Sequence, residues 1–212
     1  MKTLNYSSLI LNDLQAFFNI EKKHDREYFN DWFSKPYQFS KDDNIFLQAL
    51  IDKHINIINY YTELELVGKF IAPILNRVDF TIKSKNIRDW YEIPLKYEDK
   101  NISFNGRCDF VVARGYDKPI QPYFFIQEFK QTSASFPEDQ LLAEMIASTL
   151  LNKNNTIKGA YIMGSFWTFT ILEKLENNNY QYYISKRYDS MEIEGLTQIY
   201  QNLQNIKSEL MN

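Results

Sequence analysis

Residues 106–131 carry acidic and basic side chains at a spacing that could hold a cation and act on a bound water. This segment, GRCDFVVARGYDKPIQPYFFIQEFKQ, has two apolar runs on either side of a turn at residues 117–120. If the runs pair as an antiparallel hairpin centred on that turn, Asp109 faces Glu128 directly and Arg107 faces Lys130. Residues two apart on a strand share a face, so Asp109, Glu128 and Lys130 are predicted to lie together.

The opposed pair of carboxylates indicates a cation site. Carboxylates that face each other on neighbouring strands repel, and partial burial adds the cost of desolvation. Mg²⁺ or Mn²⁺ would relieve the repulsion, because both cations prefer oxygen ligands. Lys130, on the same face, would then neutralise charge or orient an attacking water. The sequence leaves open a different register, in which these residues are surface charges in ordinary salt bridges.

Apolar residues occupy both faces of the predicted hairpin, which indicates a central pair of strands covered on both sides. Val111 and Ile126 are expected on the face of the carboxylates. The opposite face is predicted to carry Cys108, Phe110, Val112, Phe125 and Phe129. Cys108 is interpreted as a buried structural thiol.

The composition excludes several other chemistries. The chain has 212 residues with one Cys and two His, too few for a multi-cysteine or His-rich zinc site. Its six glycines never approach the spacing of a phosphate-binding loop, and no GxSxG motif is present. The net charge is −3, whereas proteins that hold nucleic acid by bulk electrostatics are usually basic. No window is apolar enough for a signal peptide or a membrane span, so we expect a cytoplasmic protein without a membrane partner.

Helical periodicity dominates the first third of the chain. Residues 6–35 show patchy helical patterns, and Ser40 with Asp43 predicts a capped helix start. A further helix is predicted near residues 61–78. Pro73 lies inside that pattern and predicts a kink or a break there.

The rest of the chain alternates between strands and helices. Ser135, with Glu138 at the capping-box position, predicts the start of a helix that runs to about residue 151. Strands are predicted on both sides of that helix, and residues 192–211 predict a closing helix. The order of elements therefore predicts an α/β core behind an N-terminal helical segment.

Asp109 on one strand, followed by Glu128-Phe129-Lys130 on the next, resembles the D…ExK signature of the PD-(D/E)xK nuclease superfamily. The segment ELELVGKFIAPIL, which begins at Glu63, is similar to the first core helix of that superfamily. The segment DQLLAEMIAS contains Gln140, and many members have a Gln at the start of the corresponding helix. The resemblance covers roughly residues 60 to 175.

The resemblance implies a restriction-endonuclease-like fold over residues 60–212. That fold is an α/β core in which a mixed central sheet is flanked by helices. Residues 1–59 match no segment of the superfamily and are interpreted as an N-terminal helical extension packed on the core. The two parts are expected to form one structural unit.

The resemblance also implies a metal-dependent endonuclease that hydrolyses phosphodiester bonds of DNA. Asp109 and Glu128 would hold Mg²⁺ or Mn²⁺, with the carbonyl of Phe129 as a third ligand. Lys130 would position or activate the attacking water, or offset the charge that develops on the phosphate.

Two helical residues would complete this site. Glu63 would reach the metal directly or through water, and Gln140 would orient Lys130, the water or a nearby phosphate. Glu65 competes with Glu63, but Glu63 shares the apolar face of Phe70, whereas Glu65 is turned about 140° away from it. The alternatives are a solvated helix start for Glu63 and a solvated first-turn residue for Gln140.

A second function stays open, that of a non-catalytic nucleic-acid-binding or scaffold member of the same fold. The signature residue types stand at workable spacing, which favours the nuclease. The acidic net charge and the lack of a recognisable specificity domain favour the second function, or else a second copy of the chain or a partner protein that supplies specificity. Trp90, Tyr91 and Tyr97 are interpreted as core residues in preference to base-stacking ones.

Overall fold

Helices and strands alternate in residues 60–212, as the sequence predicts. The computed structural model describes residues 1–131 and 137–212. The helices are α1 (Leu11–Gln15), α2 (Asn30–Phe33), α3 (Lys41–His54), α4 (Glu63–Leu66), α5 (Ala72–Val78), α6 (Pro137–Asn152) and α7 (Ile193–Met211). The strands are β1 (Lys2–Asn5), β2 (Asn19–Lys23), β3 (Ile87–Pro94), β4 (Tyr97–Glu98), β5 (Ile102–Asn105), β6 (Arg107–Arg114), β7 (Ile120–Lys130), β8 (Thr156–Met163), β9 (Phe166–Lys174), β10 (Asn179–Ile184) and β11 (Tyr188–Asp189). Short 3₁₀ turns occur at Tyr6–Ser8, Glu27–Phe29, Ile58–Tyr60 and Lys83–Lys85.

A mixed sheet of eight strands forms the centre of the fold. Its order is β2-β10-β9-β8-β7-β6-β3, with β11 paired to β9. Helix α6 packs on one face, and α3, α5 and α7 pack on the other. Strands β7 and β8 are parallel, so they need a crossover, and α6 provides it. The predicted α/β arrangement of a mixed central sheet flanked by helices is confirmed.

The N-terminal segment is less helical than the sequence predicts. Strand β1 belongs to a separate sheet of three strands in the order β1-β5-β4, and β2 pairs in parallel with β10 at the edge of the main sheet. Both strands are short and largely exposed, so no alternation of apolar residues marks them. The predicted helical extension is therefore corrected in part: residues 1–59 contain helices α1 to α3, but also strands β1 and β2, and β2 joins the main sheet.

The predicted register of the β6–β7 hairpin is confirmed near the candidate site and wrong near the turn. The pairs that match the prediction are Phe110–Gln127, Val111–Ile126 and Val112–Phe125. Beyond Val112 the register shifts twice, so the strands approach the turn through a bulge. A bulge changes pairing locally, and the part of the ladder next to the carboxylates keeps the predicted alignment.

At the end of the hairpin away from the turn, the last backbone pair is Phe110–Gln127. The pairing of Arg107 with Lys130, which was predicted beyond it, is wrong. Arg107 pairs with Pro94 of β3, and Lys130 pairs with Met163 of β8. Arg107 and Lys130 thus pair with the outer neighbours of β6 and β7, and not with each other. The hairpin opens at its end, where the candidate site lies.

Cys108 lies on the opposite face from the one predicted. It is buried in the core beneath α6, in the same cluster as Val111, whereas Phe110 packs in the core on the other face. The regular alternation breaks at Asp109, whose carboxylate accepts a hydrogen bond from the backbone of β7. The interpretation of Cys108 as a buried thiol agrees with its complete burial.

The helix predicted at residues 61–78 is divided into three parts. Thr62 Oγ1 accepts a hydrogen bond of 3.2 Å from the N–H of Glu65, and Glu65 accepts one of 3.1 Å from the N–H of Thr62, which fixes the start of α4. A π-helical turn at Val67–Ile71 separates α4 from α5. Pro73 has no N–H to donate to the preceding turn, and this accounts for the break at the predicted place.

The other predicted helix starts have mixed outcomes. Ser40 and Asp43 form the predicted capping box at the start of α3. Helix α6 begins at Pro137 among the described residues, and the predicted cap Ser135 lies outside them. In residues 1–131 and 137–212, no helix has both the length and the apolar character to cross a membrane.

Candidate functional site

The open end of the β6–β7 hairpin brings Asp109 and Glu128 to the same place. Backbone pairing runs as far as Phe110 and Gln127, and beyond it Asp109 Oδ2 accepts a hydrogen bond of 2.7 Å from the N–H of Phe129. The carboxylate of Asp109 is thereby held against the backbone of β7. The N–H and C=O of one strand residue point to the same edge, so the Phe129 carbonyl is directed toward Asp109 as well.

Lys130 lies among three carboxylates. Its Nζ is 2.6 Å from Oε1 of Glu128, 3.7 Å from Oε1 of Glu63 and 4.0 Å from Oδ2 of Asp109. The Lys130 side chain is 19% exposed and that of Glu63 is 49% exposed, so Glu63 forms the outer wall of the cluster. The structure thus brings together four residues that the sequence singles out, with three acids around one base.

Glu128 is the most deeply buried member of the cluster. Its side chain is 0% exposed, and among the described residues neither of its carboxylate oxygens has a hydrogen-bond partner. The close contact with Lys130 is therefore ionic, with angles outside hydrogen-bond geometry. Burial raises the pKa of Glu128 to about 9, the negative charge of Asp109 adds to that rise, and Lys130 opposes it only in part.

Asp109 and Lys130 also have shifted pKa values. Burial raises the pKa of Asp109, and the hydrogen bond from the N–H of Phe129 counteracts part of that rise. Burial alone would lower the pKa of Lys130, but the charges of Glu128, Asp109 and Glu63 outweigh burial and raise it. Lys130 is therefore held as an ammonium ion.

The structure separates Glu63 from its competitor Glu65. Glu63 is the first residue of α4 and points to Lys130. Glu65 takes part in the capping box with Thr62, and its other oxygen lies 2.6 Å from Nζ of Lys69. The capping box sets the rotation of α4, so it directs Glu63 toward the cluster and Glu65 away from it.

Gln140 is buried and makes its contact within α6. Its Nε2 donates a hydrogen bond of 3.3 Å to Oε1 of Glu144, one helical turn further along. Gln140 is thus not a solvated residue, and its predicted action on Lys130 stays a prediction. The hydrogen bond connects it to a residue that the sequence interpretation missed.

Glu144 is a fully buried carboxyl group whose Oε2 has no hydrogen-bond partner among the described residues. Burial raises its pKa well above the ordinary value, and the charges of Glu128 and Asp109 add to the rise. It lies close enough to the cluster to be influenced electrostatically by both. The sequence does contain a signal for Glu144, because it is an acid inside the apolar run LLAEMIAS. It follows Gln140 by four residues and so lies on the same face of the helix.

A cavity of about 410 Å³ opens beside the cluster. Its lining residues are Glu63, Leu64, Val67, Tyr91, Glu92, Asp109 and Phe129. Glu92 was not predicted, and it lies between the two β3–β6 pairs that flank Asp109, with a left-handed φ of 52°. Tyr91, interpreted as a core residue, packs edge-on against Phe110 and also forms part of this cavity wall.

The cluster offers a metal only a small number of oxygen ligands, which are carboxylate and carbonyl oxygens. Within residues 1–131 and 137–212, no group of three or more His, Cys, Asp and Glu side chains is arranged to hold a metal ion. Mg²⁺ requires less, because it commonly binds one or two carboxylates and keeps several waters. Asp109, the unpartnered oxygens of Glu128 and the Phe129 carbonyl fit that requirement.

Comparison with known proteins gives a structural similarity of limited extent. No protein-family model matches the chain. No curated protein matches it either. A solved chain in the cryo-EM structure of a DrdV–DNA complex is similar, with a TM-score of 0.43 and 10% identity over 76% of this chain. The matched part amounts to 14% of that chain, and a similarity of this size assigns no function.

Proposed function

We propose that the protein is a metal-dependent nuclease that hydrolyses phosphodiester bonds of DNA at a PD-(D/E)xK type of site. The observation that carries the proposal is the position of Lys130 Nζ among Glu63, Asp109 and Glu128, with Glu128 fully buried. With all three carboxyl groups ionised, the cluster would carry an excess of two negative charges in a partly buried place, and burial together with this repulsion raises the pKa of Glu128 to about 9. A structural ion pair needs no such excess, whereas a divalent cation would balance it.

Each residue of the cluster has a separate role in this proposal. Asp109 and Glu128 hold Mg²⁺ or Mn²⁺, with the Phe129 carbonyl as a third ligand. When bound, such an ion lowers the pKa of a coordinated water and stabilises charge on the scissile phosphate. The hydrogen bond from the N–H of Phe129 fixes Asp109, so its carboxylate needs no rearrangement to bind a ligand.

Lys130 and Glu63 act on the substrate side of the site. Lys130 carries three N–H donors and no acceptor, so it orients the attacking water or donates to a phosphate oxygen. Glu63 lies at the exposed mouth and binds the metal through a water or directly. Gln140 and Glu144 are hydrogen-bonded to each other on α6, and the charges of Glu128 and Asp109 act on Glu144.

One observation favours the second function, a non-catalytic nucleic-acid-binding or scaffold protein. Lys130 Nζ lies 2.6 Å from Glu128, so the cluster already contains a cation of its own. If that contact is permanent, Lys130 substitutes for the metal and the site is a structural relic. Metal binding separates the two functions, because the relic has no affinity for Mg²⁺.

The proposal extends to the organisation of the chain. Residues 1–59 and 60–212 fold as one unit, because β2 supplies an edge strand to the sheet that contains β6 and β7. The net charge of −3 also favours a second copy of the chain or a partner protein as the source of specificity.

Cleavage of supercoiled plasmid DNA tests the proposal. We expect nicking that depends on Mg²⁺ or Mn²⁺ and that falls about 100-fold or more in Lys130→Ala. Lys35→Ala is the matched control, since Lys35 forms an exposed ion pair with Glu209 on the other face of the sheet. Cleavage by Lys130→Ala at the wild-type rate would show that this cluster is not the nuclease site.

A further inference from the structure

A row of three paired residues crosses the sheet from the candidate site. Lys130 on β7 pairs with Met163 on β8, and Met163 pairs with Phe166 on β9. Residues that pair across neighbouring strands lie on the same face of the sheet. Neighbouring strands are about 4.8 Å apart, so Phe166 lies about 10 Å from the strand that carries Lys130. The row therefore runs along the end of the sheet at which the candidate site lies.

Arg187 lies at the far end of this row. Its guanidinium carbon is 4.3 Å from the centre of the Phe166 ring. Tyr161 gives a second indication of its position, because it pairs with Glu128 across β7 and β8 and is influenced by Arg187. Burial and the charge of Glu138 raise the pKa of Tyr161 to about 12, and the charge of Arg187 opposes that rise. Arg187 is thus on the face of the cluster, beyond one intervening strand.

The backbone that carries Arg187 is fixed to the end of β7 by hydrogen bonds. The N–H of Gly164 donates a hydrogen bond of 2.8 Å to the carbonyl of Lys130. In the same turn, the carbonyl of Ser165 accepts hydrogen bonds of 2.9 and 2.7 Å from the N–H and the hydroxyl of Ser190. These contacts connect the loop between β10 and β11 to the candidate site, so the position of Arg187 relative to Lys130 is set by the fold.

Arg187 and its neighbour Lys186 are exposed cations without an acidic partner. In the part of the chain that the structure describes, no ion pair includes either of them. Glu138 is occupied, because it lies 2.7 Å from Nζ of Lys22 and accepts hydrogen bonds from two tyrosine hydroxyls. Asp189, which pairs with the start of β9, accepts a hydrogen bond from the backbone two residues further on. The guanidinium of Arg187 therefore keeps its donors for an anion from outside the protein.

The chemistry of this place favours a phosphate. A guanidinium has a planar fork of donors that matches phosphate, and it commonly stacks on an aromatic ring as Arg187 does here. At the mouth of the cluster, by contrast, Lys69 and Arg107 are paired with acids, so attraction for a polyanion must come from beyond the mouth. The DNA backbone is a chain of phosphates, so one phosphate can lie at Lys130 while another reaches Arg187.

We infer that Arg187 binds a backbone phosphate of DNA a few nucleotides from the phosphate at Lys130, with Lys186 adding a second positive charge. The Nζ of Lys186 lies 5.0 Å from the centre of the Tyr188 ring, so this charge is also held by an aromatic side chain. The inference rests on the proposed function, because that function places the scissile phosphate at Lys130. It adds a contact with the substrate outside the cluster.

The salt dependence of binding tests the contact without cleavage. The probe is a labelled blunt DNA duplex, and its binding is measured by fluorescence anisotropy in chelator at a series of salt concentrations. Each phosphate contact contributes about 0.9 to the slope of log K against log salt concentration. We expect Arg187→Ala to lower that slope by about one and to weaken binding about fivefold at low salt, whereas Arg187→Lys keeps the charge and should keep the slope.

Arg114→Ala is the matched control. Arg114 is an exposed arginine at the opposite end of β6, and it has no ion pair among the described residues. An unchanged slope in Arg187→Ala would overturn the inference. An equal reduction in Arg114→Ala would do so as well, because the effect would then come from net charge alone. A slope that stays reduced in Arg187→Lys would also overturn it.

Cleavage kinetics separate this inference from the proposed function. A contact with a phosphate that does not react stabilises substrate and transition state equally, so Arg187→Ala should raise KM about fivefold and leave kcat nearly unchanged. A reduced salt slope in Arg187→Ala without any metal-dependent cleavage by the wild-type protein would remove the nuclease and leave the phosphate contact. Metal-dependent cleavage with unchanged slope and KM in Arg187→Ala would leave the nuclease and remove the contact.

Discussion

Two buried carboxylates in this protein have opposite surroundings. Asp43 accepts hydrogen bonds from the N–H and hydroxyl of Ser40 and from the guanidinium of Arg77, at distances between 2.7 and 3.1 Å. Glu128 accepts no hydrogen bond from any described residue. Burial alone would raise both pKa values, but the contacts of Asp43 outweigh burial and lower its pKa to about 2, whereas that of Glu128 rises to about 9.

The difference supports the proposal that Glu128 binds a ligand, whereas Asp43 is a structural carboxylate. Asp43 is fully used in holding the start of α3 to α5, and its removal would leave Arg77 without its partner. Glu128 accepts no hydrogen bond from a described residue, its close contact with Lys130 is ionic, and it repels Asp109. These properties support the proposal of a metal there and not at the buried Asp43.

The largest expected effect on stability is that of replacing the structural carboxylate, Asp43. Asp43→Asn should lower the free energy of unfolding by about 2 to 3 kcal/mol, because it removes the charge to which the two Ser40 donors and the Arg77 guanidinium are bound. Urea denaturation near neutral pH measures the change. Metal-dependent stabilisation should persist in this variant. A change within about 0.5 kcal/mol would mean that Asp43 is an ordinary surface group.

Glu128→Gln should have the opposite sign. In the presence of chelator it should raise the free energy of unfolding by roughly 1 to 2 kcal/mol, the equivalent of about one pKa unit, because it removes a buried group that repels its neighbour. Asp109→Asn should change stability less, since Asp109 accepts a hydrogen bond from the N–H of Phe129 that an amide oxygen can also accept. Marked destabilisation by Glu128→Gln would mean that the ionic contact of Glu128 with Lys130 stabilises the fold.

Glu128 and Asp43 should also affect the stability of the metal-free protein in different pH ranges. The folded pKa of Glu128 lies above its ordinary value of 4.5, so the folded state binds more protons and stability falls as pH rises from about 4.5 toward about 9. Glu128→Gln should flatten this decline in part, since Glu144 has a shift of the same direction. The contribution of Asp43 is present above its ordinary value of 3.8 and is lost as pH falls through about 2. Denaturation curves at a series of pH values measure both slopes, and an unchanged slope in Glu128→Gln would contradict the assignment.

The smallest expected effect concerns Gln140. Its hydrogen bond is to Glu144, so we expect Gln140→Ala to lower the cleavage rate less than about tenfold, which is below the usual contribution of a group that takes part in proton transfer. A matched variant is Gln201→Ala, because Gln201 also makes a side-chain contact away from the cluster. A loss as large as that of Lys130→Ala would place Gln140 among the catalytic residues.

Strand and helix periods account for most of what the sequence predicts about the site. The turn and the register of β6 and β7 bring Asp109 and Glu128 together, although the alternation of faces breaks at Asp109, and the bulge near the turn does not reach them. The capping box of Thr62 and Glu65 likewise distinguishes Glu63 from Glu65. These are local rules, and they hold wherever two elements are adjacent along the chain.

The residues that escaped prediction depend on contacts between distant elements. Glu144 enters the site because α6 packs beneath β7 with one particular face, and Glu92 enters it because β3 pairs with β6. Strand β2 was missed because it gains its partner, β10, from the other end of the chain. None of these contacts is visible in the pattern of the segment itself.

The binding of a divalent cation by Asp109 and Glu128 is the central claim, and thermal unfolding with and without metal tests it most directly. At about 100 times the dissociation constant, Mg²⁺ or Mn²⁺ should stabilise the wild-type protein by about 2.7 kcal/mol and raise its melting temperature relative to chelator. The increase should be lost in Glu128→Gln and kept in Asp43→Asn. An unchanged melting temperature of the wild-type protein across millimolar metal would contradict the claim.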